Sequence, residues 1–116
     1  MKNFIWHNPR CSKSRQTLQL IEDAGVEIEI IDYQQQPPRA EEIAAACAGL
    51  DCRPLDITRR GEALFGELGL SAEDNRSDAD WLNILSEHPK LIERPVVRIG
   101  GRYALGRPPE KVQALL

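Results

Sequence analysis

Residues 3–33, "NFIWHNPRCSKSRQTLQLIEDAGVEIEIIDY", decide the fold. The apolar run "NFIWH" is bounded by polar residues and reads as a buried strand. From Ser12 onward, Thr17, Leu18, Ile21 and Ala24 recur at helical spacing, and Gly25 supplies the stop. "VEIEIIDY" alternates apolar and acidic positions before turning continuously apolar, the pattern of a second strand. Strand, helix and strand within the first 33 residues make a βαβ unit, whose strands should be parallel with a right-handed crossover.

Beyond it, "QQQPPR" interrupts the pattern, because two prolines neither continue a strand nor sit inside a helix. Three helical segments follow. Ile43, Ala46, Cys47 and Leu50 share one face, Leu64, Phe65 and Leu68 another, and "SDADWLNILSEHP" opens on a capping box at Ser77 and Asp80 and closes at Pro89. Residues 39–89 therefore form a helical insert. In "RPVVRIGGRYALGRPPEKVQALL", Gly100 and Gly101 separate two apolar runs as a hairpin turn does. Pro108 and Pro109 start a last helix with Val112, Leu115 and Leu116 on its apolar side. The βαβ unit and the ββα unit together predict an α/β protein with a mixed four-stranded sheet flanked by helices, the thioredoxin-like arrangement.

At 116 residues the chain has the length of one domain, residues 1–116, able to close a core without disulfides or metal. Its 41% apolar and 28% charged residues are those of a soluble globular protein. No apolar stretch reaches membrane-span length and no signal-peptide h-region is present, so a cytoplasmic location without membrane association is expected. Three cysteines without framework spacing agree with a reducing compartment. A net charge of −3 argues against a nucleic-acid partner. Eleven of the fifteen basic residues are arginine, whose planar fork of donors suits oxyanions.

The chemistry concentrates in "HNPRCSKSRQTL", residues 7–18, where His7, Cys11 and Arg15 are equally spaced. An ordinary thiol is mostly protonated at neutral pH, and the thiolate is the nucleophile. A helix N-terminus offers free N–H groups and partial positive charge, and Arg10, Lys13, Arg15 and His7 add to the same field. The same loop forms an anion cradle. A phosphatase loop needs arginine six residues after the cysteine, and that position is Thr17. A dithiol motif needs a second cysteine at position 14, which is Ser14. No metal is expected, since His7 and Cys11 are the only nearby ligands and zinc takes four.

These stretches, with "RRGEALFGELGL", "HPKLIERPVV" and "GRPPE", resemble the glutaredoxin-coupled arsenate reductase family over essentially all of residues 4–116. The resemblance implies a thioredoxin-like fold and reduction of arsenate to arsenite through a thioarsenate adduct on Cys11. It implies thiolate support from His7 in the motif that Arg15 completes, an anion clamp of Arg59, Arg94 and Arg107, and a cis proline at Pro95. Arg59 is preferred over its neighbour Arg60 because it lies six residues before Phe65. Glutathione as co-substrate and glutaredoxin as partner are implied, with no bound cofactor. Cys47 falls on an apolar helix face and Cys52 in a helix-to-helix connection, and neither matches a resolving cysteine. Arg10, Ser12 and Lys13 depart from the smaller or neutral residues usual in the family, which leaves the substrate more open than the nucleophile. The alternatives are a glutathione-dependent monothiol oxidoreductase acting on protein mixed disulfides, permitted by Cys-x-x-Ser, and a non-catalytic regulator of the Spx type.

Overall fold

A computed structural model describes residues 2–116. Its chain falls into two compact units, one built from the residues up to Gln36 together with Arg94–Leu116, the other from Pro37–Glu93.

The first unit holds β1 (Phe4–His7), α1 (Ser12–Asp23), β2 (Glu29–Asp32), β3 (Val96–Ile99), β4 (Arg102–Leu105) and a closing 3₁₀ segment, Pro109–Leu115. The sheet order is β2-β1-β3-β4, with β1 parallel to β2 and the other neighbours antiparallel. This is the mixed, thioredoxin-like sheet expected from the sequence. Ile5, Ile21, Val97, Ile99 and Val112 form its buried cluster, with Leu18, Leu20, Val26, Ile28, Ala104 and Leu115 packed around them. The apolar stripe of α1 and alternate residues of β1 and β3 thus meet in one core, and each buried aliphatic side chain contributes about 1.5–3 kcal/mol by leaving water.

Two boundaries differ from the sequence expectation. Strand β2 begins only at Glu29, because the N–H of Val26 turns back to the carbonyl of Ile21 (3.4 Å) and helps close α1, with Gly25 left-handed at φ 73°. The last helix is 3₁₀ rather than α, so Pro109, Val112 and Leu115 line up every third residue. Pro109 and Val112 are buried, while Leu116, expected on the same side, is exposed. The β3–β4 turn is as expected, with Gly100 and Gly101 both at positive φ (60° and 78°), conformations open to glycine at little cost.

The second unit, Pro37–Glu93, contains α2 (Ala40–Leu50), α3 (Ala63–Glu67), α4 (Asp78–Glu87) and short 3₁₀ turns at Pro54–Ile57 and Pro89–Leu91. Ile43, Ala46 and Cys47 of α2 are buried, as are Trp81 and Leu85 of α4. The capping box is present: Ser77 accepts the N–H of Asp80 (3.1 Å), and Asp80 accepts that of Ser77 (3.1 Å). Phe65 stacks on Trp81 at 6.3 Å between centroids. Leu68, placed by spacing on the same face as Phe65, is exposed, because α3 ends at Glu67 and Gly69 turns the chain at φ 69°. No helix among the described residues is long and apolar enough to cross a membrane.

Candidate active site

Strand β1 ends at His7, and Cys11 stands four residues later as the N-cap of α1. The intervening loop is braced from several directions. Asn8 accepts the N–H of Cys11 at its carbonyl and that of Arg10 at its Oδ1, both at 3.0 Å. Ser14, fully buried, accepts the N–H of Asn8 at its Oγ (3.0 Å), and the same oxygen lies 2.7 Å from His7 Nδ1. Arg15 donates from Nη1 to the carbonyl of Pro9 (2.8 Å). Together these bonds hold the loop and fix where Cys11 points.

Cysteine lacks the oxygen that normally caps a helix, and no conventional cap bond is made. The free N–H groups of the first turn bear on its sulfur instead. Burial pushes the Cys11 thiol up, but hydrogen bonds from the Ser14 N–H, the Arg94 guanidinium and the Lys13 N–H, with the charge of Arg94, outweigh it and hold the pKa below 9.0. The first turn of α1 carries no acidic residue to offset the positive pole of the helix. A thiol so placed is biased toward the nucleophilic thiolate.

Arg94 reaches both Cys11 and the buried Tyr33 through side-chain hydrogen bonds. Its peptide to Pro95 is cis, as the resemblance implied, and the Arg107–Pro108 peptide is cis as well. Arg107 lies beside Arg94, its Nη1 donating to the Arg94 carbonyl at 3.5 Å. Gly106 completes this corner: its N–H bonds the Pro95 carbonyl (2.9 Å), and a Cβ on it would fall 2.5 Å from Thr17 Oγ1 and 2.7 Å from Pro95 Cγ. Only glycine lets the β4 exit pass this close to α1 and Pro95.

The structure therefore brings Cys11, Arg94 and Arg107 into one corner of the first unit. His7 is buried, and desolvation lowers its pKa, opposed by Asp32 and Glu22 and assisted by Arg15, so its ring is neutral at neutral pH. Its hydrogen-bond partner is Ser14, so any help it gives the thiolate passes through that serine. Arg59 stands in the second unit, half-buried, with Nε 3.2 Å from Glu62 Oε1 and its N–H on the Leu91 carbonyl. Arg60 is exposed and reaches the Leu55 carbonyl at 3.4 Å.

Ser14, Gly106 and Tyr33 were not singled out as contributors by the sequence reading. Ser14 carried one signal, its place three residues into the helix after the cysteine, and Gly106 another, its place in "GRPP". Among the described residues no three His, Cys, Asp or Glu side chains form a group that could hold a metal ion.

The chain is similar to known proteins over nearly its whole length. The sequence model of the ArsC family matches residues 6–115. The chain is 39% identical over 113 residues to an arsenate reductase of Neisseria meningitidis, covering 97% of this chain and 96% of that one. It is 42% identical over 114 residues to an arsenate reductase of Rhizobium meliloti, covering 97% of this chain and 79% of the longer relative. The solved structure of an arsenate reductase from Vibrio cholerae superposes with a TM-score of 0.93 at 40% identity, covering 100% of this chain and 98% of that one. By sequence along nearly its whole length and by fold, the chain belongs to the ArsC family.

Proposed function

We propose that the protein is an arsenate reductase that uses Cys11 as its nucleophile, with glutathione and glutaredoxin as thiol donors. The observation that carries the proposal is the convergence of the Arg94 guanidinium and the α1 amides of Lys13 and Ser14 on the Cys11 sulfur. Relatives matched along most of their length bear the name arsenate reductase.

In this scheme the Cys11 thiolate attacks arsenic, an As–O bond breaks, and the departing oxygen leaves as water after taking up protons. Arg94 and Arg107 hold the remaining oxygens, supplying charge stabilisation as the adduct forms, with the α1 amides available to the same anion. The resemblance implies an oxyanion-binding role for Arg59 as well. Glutathione displaces a second oxygen as water. The glutaredoxin thiolate then attacks the glutathione sulfur, the As–S electron pair passes to arsenic, and As(V) becomes As(III). Hydrolysis of the remaining As–S bond returns Cys11 and releases arsenite.

Donor dependence tests the proposal. Arsenite should form with glutathione and glutaredoxin together and fall sharply when either is left out. Turnover of glutathionylated proteins at a rate far above arsenate would replace this reading with a monothiol oxidoreductase.

A further inference from the structure

The second unit carries a feature that the Cys11 chemistry does not use. Helix α2 ends in a Schellman motif: Asp51 is left-handed (φ 53°, ψ 50°), the Cys52 N–H bonds the Cys47 carbonyl (3.0 Å), and the Asp51 N–H bonds the Ala48 carbonyl (3.2 Å). That motif brings the residue after the left-handed position against the side chain five positions earlier, a contact that is ordinarily apolar. Here both positions are cysteines. Cys47 donates a side-chain hydrogen bond to Cys52, and the two thiols line one cleft of about 260 Å³ with Ala44, Ala48, Pro54 and Leu82. Asp78 stands at the same cleft, ion-paired to Arg53 (2.9 Å).

We infer that Cys47 and Cys52 form a chelating dithiol site for trivalent arsenic, taken up as arsenous acid. The site rests on the proposed reductase activity only for the origin of its ligand. As(III) is soft and thiophilic, and two adjacent sulfurs suffice to chelate it, whereas structural zinc wants four ligands. The described residues offer no third metal-ligating side chain to this pair. Binding is a condensation: two S–H and two As–O bonds break, two As–S bonds form, and two waters leave. Arsenic stays trivalent throughout, and no oxidant or reductant is consumed. The remaining As–OH would face the cleft, where the Asp78 carboxylate can accept its proton in a hydrogen bond.

The protonation of the pair agrees with this chemistry. Burial, with Cys52 beside it, pushes the Cys47 thiol up to about 12, and burial also raises Cys52, so both are thiols at neutral pH. Thiols condense with arsenous acid without releasing a proton, whereas thiol–disulfide exchange requires a thiolate.

The test uses the Cys11→Ser protein, which lacks the proposed nucleophile, reduced by a phosphine rather than a thiol. Sodium arsenite is added directly, so the outcome does not depend on whether the enzyme makes it. Intact mass spectrometry under native conditions should show one arsenic bound with loss of two waters, and both remaining thiols should become inert to a disulfide reagent. Adding Cys52→Ser, at a half-exposed position, or Cys47→Ser should each weaken binding on the order of a hundredfold, the loss of a chelate's second attachment. Circular dichroism of the Cys52→Ser protein confirms that α2 is intact. The inference is overturned if Cys11→Ser protein binds no arsenite, if either added substitution leaves the affinity unchanged, or if zinc protects the two thiols equally well.

Discussion

Replacing Arg94 by alanine should raise the pKa of Cys11 and slow its reaction at neutral pH. Arg94 both donates a hydrogen bond to the sulfur and places a positive charge beside it. A hydrogen bond to a charged group is worth about 1.5–3 kcal/mol, which sets the ceiling on the loss. Cys11 is only half-buried, and solvent screening brings the expected loss to the lower end of that range. The amides of Ser14 and Lys13 remain in the variant, so part of the activation survives. The assay is the rate of iodoacetamide alkylation of Cys11 against pH, in a background with Cys47 and Cys52 replaced by alanine. At pH 7 the Arg94→Ala rate should fall about tenfold, following the thiolate fraction. Arg94→Lys, which keeps a charge but loses the fork, should fall between them. Arg39→Ala is the control, since Arg39 caps α2 against Glu42 in the second unit. Superimposable titrations for the parent and Arg94→Ala would refute the assignment of Arg94 as the side chain that activates the thiol.

Gly106→Ala should destabilise the protein by about 1–3 kcal/mol, as overpacking does, because the new methyl meets Thr17 and Pro95; urea unfolding measures it, and an unchanged midpoint would deny the close approach. His7 is buried with a lowered pKa, so the unfolded chain binds its proton first as pH falls; stability should decline from about pH 6.5 downward through the lower folded-state pKa, and His7→Gln should flatten that decline. Cys47 works in the opposite direction. Its folded pKa of about 12 exceeds the ordinary 9.0, and that of Cys52 is raised as well, so stability should fall as pH rises from 9.0 toward 12; Cys47→Ala should reduce that slope, and an unchanged slope would deny the burial of the Cys47 thiol. Arg59→Ala should raise the arsenate KM or lower kcat more than Arg60→Ala does, and equal effects would reject the choice of Arg59.

Much of the fold is written in local signals. The period change from "NFIWH" to the α1 stripe, the two glycines of the β3–β4 turn, and the Ser77–Asp80 box each specify their element within a few residues. The position of Cys11 at the start of α1 was legible for the same reason. Other features depend on partners distant in the chain. The role of Ser14 requires that its helix face the end of β1, where Asn8 and His7 meet its oxygen. That of Gly106 requires Thr17, 89 residues away, to lie against it. The 3₁₀ form of the last segment was hidden because Val112 and Leu115 satisfy a period of three as well as one of 3.6. Cys47 was readable as a core position, but its meeting with Cys52 depends on a left-handed Asp51, a conformation commoner in glycine.

The central claim is that the Cys11 thiolate performs the attack on arsenate. Arsenite released from arsenate, measured side by side for the parent and Cys11→Ser with saturating glutathione and glutaredoxin, tests it most directly. The parent should turn over, and Cys11→Ser should fall to the rate of the donors alone while its circular dichroism stays that of the parent. A Cys11→Ser protein that reduces arsenate as fast as the parent would contradict the account.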